Sequence, residues 1–210
     1  MPDKDALLNS FCHHLPDRLL IYGDGCSILC ARCSGIYLGF LLGIVAFLLI
    51  RRGKYPSLTV RDLWLPGLLI VLLPLEVAAE NFLGFSTTNF VRYLTGIGLG
   101  AGFAMFLAAL WCGFFAAAPS EEKAVSIELT TFAPLTVGAA FTLVLLLPPV
   151  FNGLVFLGLF ASYFIVNILL IRGVFGVKKP IAIGALAFLL VFVEWSMLFV
   201  LNNYVIRQLR

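Results

Sequence analysis

Six long apolar runs divide the chain, and short polar connections separate them. They cover roughly 34–50, 64–79, 89–118, 131–147, 154–171 and 181–202. None alternates at period two, as a barrel strand would, so each run predicts a helix. A helix needs about 20 mostly apolar residues to cross a bilayer. Only helices and closed barrels pair every backbone polar group in hydrocarbon. The pattern therefore predicts an all-α integral membrane bundle of about six transmembrane helices. Residues 1–33 stand apart as a short polar segment carrying Cys and His, and 34–210 form the bundle. Pro148-Pro149 breaks the chain between the fourth and fifth runs, because proline lacks the donor and clashes with the preceding turn.

Composition agrees. The chain is 61% hydrophobic and 12% charged, with mean hydropathy +1.05. Soluble domains average roughly 25% charged and 45–50% apolar residues, so lipid must cover much of this surface. A net charge of +3 is too small to suggest nucleic-acid binding. The start, Met1-Pro2-Asp3-Lys4-Asp5, lacks the pattern of a cleaved signal peptide, so the first run is expected to be retained. Lys and Arg number eight on one side of the runs and six on the other. By the positive-inside rule this places the chain in the cell membrane with both termini, and the cysteines, outside the cytoplasm. Independently of direction, the second run must end on the face where the cysteines lie. Glu76, Glu80, the 81–88 connection and Arg92 therefore share that face.

The chemistry begins with Cys12-His13-His14, then Cys26, then Cys30-Ala31-Arg32-Cys33. A C-x-x-C brings two sulfurs within reach of one ion, and a Cys-His pair upstream supplies two more ligands. Cys12, His13, Cys30 and Cys33 form the expected Zn²⁺ set, with His14 or Cys26 as a substitute. The same cysteines also suit a thiol-disulfide device, since a helix N-terminus and Arg32 both favour a thiolate. A plain structural disulfide is the simplest alternative. Cys112, within the third run, reads as a small core residue.

Glu76 and Glu80 are spaced to share a helix face. A charge at mid-membrane costs at least about 2.5–3.5 kcal/mol and usually has a partner in the bundle interior. Arg92 is the expected partner. Glu194, in the sixth run, needs either a hydrogen bond from Asn or Ser or a polar cavity. Gly35, Gly39 and Gly43 in the first run, and Gly96, Gly98, Gly100 and Gly102 in the third, form small-residue faces. They predict that these two helices touch.

Three blocks now stand together. They are Cys12-His13-His14-Leu15-Pro16-Asp17-Arg18, the Cys-Ala-Arg-Cys block from Cys30 to Gly39, and Thr87-Thr88-Asn89-Phe90-Val91-Arg92-Tyr93-Leu94-Thr95-Gly96. Together they resemble the bacterial and archaeal membrane proteins grouped as domain of unknown function 2085. The resemblance covers roughly the first 100 residues. That family often has Gln where this chain has His14, Asp and Gln where it has Glu76 and Glu80, and Ser where it has Thr87. The resemblance supports the site and leaves the activity open.

Three functions fit these residues. One is a metal-dependent membrane enzyme acting on a lipid-linked or lipid-soluble substrate. In it zinc activates water or polarises an oxygen, Glu76 is the base and Arg92 holds an anionic group. Another is a transporter or ion-coupled carrier with Glu76 and Glu194 as relays. It predicts polar residues in both halves of the bilayer, and the far half has few apart from Asn167. The third is a membrane thiol-disulfide oxidoreductase. Candidate catalytic residues are Glu76, Glu80, Arg92 and Glu194, and the expected partners are membrane lipid and a small anionic or lipid-linked substrate.

Overall fold

The computed structural model describes residues 12, 16–22, 25–51, 64–115, 136, 139–140, 148–176 and 179–209. A 3₁₀ turn, Pro16–Arg18, leads into a hairpin of β1 (Leu19–Tyr22) and β2 (Gly25–Cys30). Five long helices follow among the described residues: α1 (Ala31–Arg51), α2 (Trp64–Leu83), α3 (Asn89–Phe115), α4 (Pro148–Phe175) and α5 (Pro180–Leu209). All five are long and apolar enough to cross a membrane. The protein is thus an all-α membrane bundle, as its apolar runs predict. The predicted span at 131–147 lies mostly outside the described residues. Within it Thr136, Ala139 and Ala140 are helical, and Thr136 and Ala140 are buried. The side chain of Cys112 also lies outside them.

The hairpin is the main local departure from the expected polar segment. The strands are antiparallel, with Leu19 opposite Cys30 and Tyr22 opposite Gly25. Two residues, 23 and 24, separate the strands in the sequence. The register shifts between Leu19 and Ile21. At that irregularity Leu20 N–H donates to Ser27 Oγ at 3.0 Å, and Ser27 Oγ in turn donates to Leu29 O at 2.6 Å. A side chain thus replaces a missing ladder bond. Leu29 is 1% exposed and packs with Cys12, Leu38, Tyr93, Ile97, Phe151 and Val155. Burying a leucine contributes about 1.5–3 kcal/mol, so this side chain pins the hairpin to α1, α3 and α4.

Helix α1 packs between α3 and α4, α2 packs on α3, and α5 packs on α4. The α1–α3 contact is backbone on backbone. A Cβ at Gly39 would stand 2.8 Å from Ile97 Cα, and one at Gly100 would stand 2.7 Å from Phe40 N. Gly98 and Gly102, two residues out of step with Gly96 and Gly100, instead face α2 at Leu69 and Pro66. The expected contact of the first and third helices is present, and α3 uses separate glycine stripes for its two neighbours. The outer surfaces of α2 and α5 expose Leu68, Val71, Leu75, Phe188, Leu189, Phe192 and Val200. Water would penalise such faces; lipid does not.

The helix ends follow local rules. Helix α2 runs through Glu76 and Glu80 to Leu83, beyond the expected 79, and Gly84 at φ +69° ends it. Gly176 at φ +63° ends α4, its N–H bonded to Arg172 O at 3.2 Å. Pro148 starts α4, where a missing amide donor costs nothing.

Candidate metal centre and ion network

The end of β2 and the first turn of α1 place Cys30 and Cys33 side by side, and the segment before the hairpin brings Cys12 onto them. The three sulfur atoms lie within 4.8 Å of one another. Cys30 N–H donates to Cys12 Sγ at 3.3 Å. Tetrahedral Zn–S bonds of about 2.3 Å would set the sulfurs about 3.8 Å apart, so the triad fits one ion with little adjustment. Cys12 is buried, and Cys30 and Cys33 are half-buried. None of the four described cysteines forms a disulfide. With three sulfurs crowded together, the Cys30 thiol is pushed above its ordinary value. Its hydrogen bond with Cys12 is the main cause and burial adds to it, while a bond with Cys33 opposes. A cation among these atoms would relieve that crowding. His13 and His14 lie outside the described residues. Cys26, the other possible substitute, is exposed on β2 and stands apart from the triad.

Two asparagines hold the hairpin that carries Cys30. Asn89, the first residue of α3, donates through Nδ2 to Asp17 O at 2.9 Å and Leu19 O at 3.1 Å. Asn152 of α4 accepts from Ile28 N–H at 3.0 Å and donates to Cys26 O at 3.2 Å. It completes the open edge of β2 as a further strand would. The sequence reading missed this role of both residues. The signal was a lone amide at the start of each long apolar helix.

Arg32 projects from between Cys30 and Cys33 to the acids of α2. Its Nε meets Glu76 Oε2 at 3.2 Å and its Nη2 meets Glu76 Oε1 at 2.6 Å. The same Nη2 meets Glu80 Oε2 at 3.0 Å. Arg92 contacts Glu80 Oε1 through Nε at 3.1 Å and also through Nη2, and donates through Nη1 to Asn89 Oδ1 at 3.0 Å. Thr87 Oγ1 lies 2.9 Å from Glu76 Oε1 and also contacts Glu80; its single proton serves one carboxylate at a time. Thr95 Oγ1 lies 3.2 Å from Glu76 Oε2.

Two guanidinium groups thus offset two carboxylates. Glu76 is the most enclosed, with its side chain 6% exposed. The expected pairing of Arg92 with an acid holds for Glu80. Glu76 instead takes Arg32, which the sequence reading treated only as a neighbour of the thiols. Glu194 is not part of this network. It accepts from Asn167 Nδ2 at 3.0 Å between α5 and α4, the amide partner that a lone acid in that run calls for.

The family pattern described as a predicted membrane protein (DUF2085) matches residues 12–106. That stretch begins at Cys12 and contains the sulfur triad and all four charges of the network. An uncharacterized protein of Methanocaldococcus jannaschii is 32% identical over 94 residues, 43% of this chain and 57% of that protein, so the chain spans little more than half its length. An uncharacterized protein of Methanothermobacter thermautotrophicus is 33% identical over 101 residues, 47% of this chain and 86% of that protein. No solved structure matches. On the pattern that begins at Cys12 and on the near-complete coverage of the second relative, the chain belongs to the DUF2085 family of predicted membrane proteins.

Proposed function

We propose that this protein is a zinc-dependent membrane enzyme whose site handles a lipid-linked or lipid-soluble substrate at the membrane face. Cys12, His13, Cys30 and Cys33 would hold the ion. The observation that carries this reading is the three-sulfur cluster with Arg32 set between two of its members. Zinc would supply Lewis-acid chemistry if a coordination position were left open; with all four ligands engaged, it would instead hold the hairpin to the start of α1. The chain's own carboxylates then do the proton work. Glu76 is enclosed, held by Arg32 and faced by the Thr87 and Thr95 hydroxyls, so it is the group placed to take a proton from a substrate hydroxyl or from water. Arg32 and Arg92 hold the acids in position. The Cys-bearing face lies outside the cytoplasm in this proposal, following the Lys/Arg balance.

An ion-coupled carrier is the second reading, and the Asn167–Glu194 pair within the membrane helices supports it. Metal content and free thiols per chain, measured on detergent-purified wild type and Cys30→Ser, test the metal. About one zinc per wild-type chain, lost in the variant, supports the site. No metal, with Cys30 and Cys33 oxidised, replaces it with a thiol-disulfide carrier.

A further inference from the structure

Among the described side chains, three arginines stand at the Cys-bearing face, and two are engaged: Arg32 with Glu76 and Glu80, Arg92 with Glu80 and Asn89. Arg18 is different. Among the described residues its Nε is buried without a hydrogen-bond partner and it forms no ion pair. The residue is only half-buried, so part of it reaches the surface. A buried guanidinium nitrogen without an acceptor is costly unless a ligand completes it.

Arg18 is also fixed next to the ion network. The carbonyls on either side of it, Asp17 O and Leu19 O, both accept from Asn89 Nδ2, and Asn89 Oδ1 accepts from Arg92. The surface here is strongly apolar. Ile21 is 81% exposed, Phe82 86% and Phe85 64%. Ile21 is on β1, Phe82 is in the last turn of α2 and Phe85 is in the connection to α3, all at the Cys-bearing end of the helices. Arg18 stands at the same end, next to the hairpin that carries Ile21, where a bilayer spanned by these helices would place its lipid phosphates.

We propose that Arg18 binds the phosphate group of an anionic amphiphile. This rests on the proposed membrane-face site and names its substrate class, and it transfers the anion-holding role from Arg92 to Arg18. The planar guanidinium fork suits two phosphate oxygens at once.

Native mass spectrometry of the zinc-loaded, detergent-purified chain tests this, with phosphatidic acid, phosphatidylcholine and inorganic phosphate added separately. Wild type is expected to retain phosphatidic acid in preference to phosphatidylcholine. Arg18→Gln should weaken that retention about tenfold, the loss of one charge-assisted contact, and Arg18→Lys should recover part of it. If inorganic phosphate displaces the lipid in wild type and not in Arg18→Gln, the site also takes the free anion. If phosphate fails to displace it, the site requires the lipid. Equal retention of the two lipids by wild type overturns the proposal without any variant, as does unchanged phosphatidic acid binding in a folded Arg18→Gln chain. Zinc is counted in the same spectra. Zinc present without lipid preference removes this inference alone, whereas absence of zinc from wild type removes the metal site.

Discussion

Arg32 grips Glu76 through two nitrogens, at 3.2 and 2.6 Å, from a position between two candidate metal ligands. The sulfur cluster and the acids of α2 are therefore joined by one side chain. Truncating one partner of an enclosed ion pair strands the other charge, which costs about 3–5 kcal/mol when burial is complete. Arg32 keeps 19% of its side chain exposed, so the low end applies. Arg32→Ala is expected to lose about 3 kcal/mol, read as a fall in thermal midpoint in detergent. Arg32→Ala combined with Glu76→Gln should recover part of that loss. An unchanged midpoint in the single variant would show that the pair contributes nothing.

Zinc binding should release protons and weaken as pH falls. The Cys30 thiol stands above its ordinary value without metal, so it holds its proton to higher pH and the ion must displace it. Zinc competition against a chromophoric chelator should give tighter binding on the alkaline side of neutrality. Affinity that does not vary with pH would mean that the thiols are not ligands.

Asn152 completes the edge of β2, the strand that ends at Cys30. Asn152→Ala should weaken zinc binding by up to about tenfold, the lower range for residues that support metal ligands. Zinc affinity equal to wild type would show that the hairpin is held well enough by Leu29.

Cys26 is exposed on the hairpin, unlike buried Cys12 and the half-buried Cys30 and Cys33. A membrane-impermeant maleimide applied to intact cells is expected to label it, and Cys26→Ser should abolish the signal. Labelling that appears only after lysis would reverse the proposed orientation.

Gly39 and Gly100 meet backbone across the α1–α3 contact, whereas a Cβ at Gly67, Gly153 or Gly184 would meet nothing within 4 Å. Gly100→Leu should cost more than the roughly 1–3 kcal/mol typical of overpacking, seen as loss of folded protein on size-exclusion chromatography. Gly153→Ala should leave the elution profile unchanged.

The helical class was legible because apolar runs long enough to span a bilayer have few other structures open to them. The shared face of Cys12, Cys30, Glu76, Glu80 and Arg92 followed from counting crossings alone. The sharing-out of charges did not. Glu76 and Glu80 look equivalent along α2, yet Arg32 reaches both from α1 while Arg92 pairs with Glu80. The hairpin was written as Leu19-Leu20-Ile21-Tyr22, then Gly23-Asp24, then a second aliphatic stretch. Hydropathy counting across a window as long as a span averages that short pattern away. Asn89 and Asn152 were illegible as clamps because an amide shows its partners only once the chain is folded.

The two glycine stripes of α3 have an electrostatic consequence. Gly96 and Gly100 admit α1 and Gly98 and Gly102 admit α2, on faces about 200° apart around the helix. Helix α3 is therefore a spacer of minimum thickness, and its bare backbone sets how far a guanidinium on one side must stretch to a carboxylate on the other. Widening that spacer by the width of a methyl group on each side would lengthen the reach that Arg32 must make to Glu76. The strength of the charge network is thus determined in part by four residues that carry neither charge nor side chain.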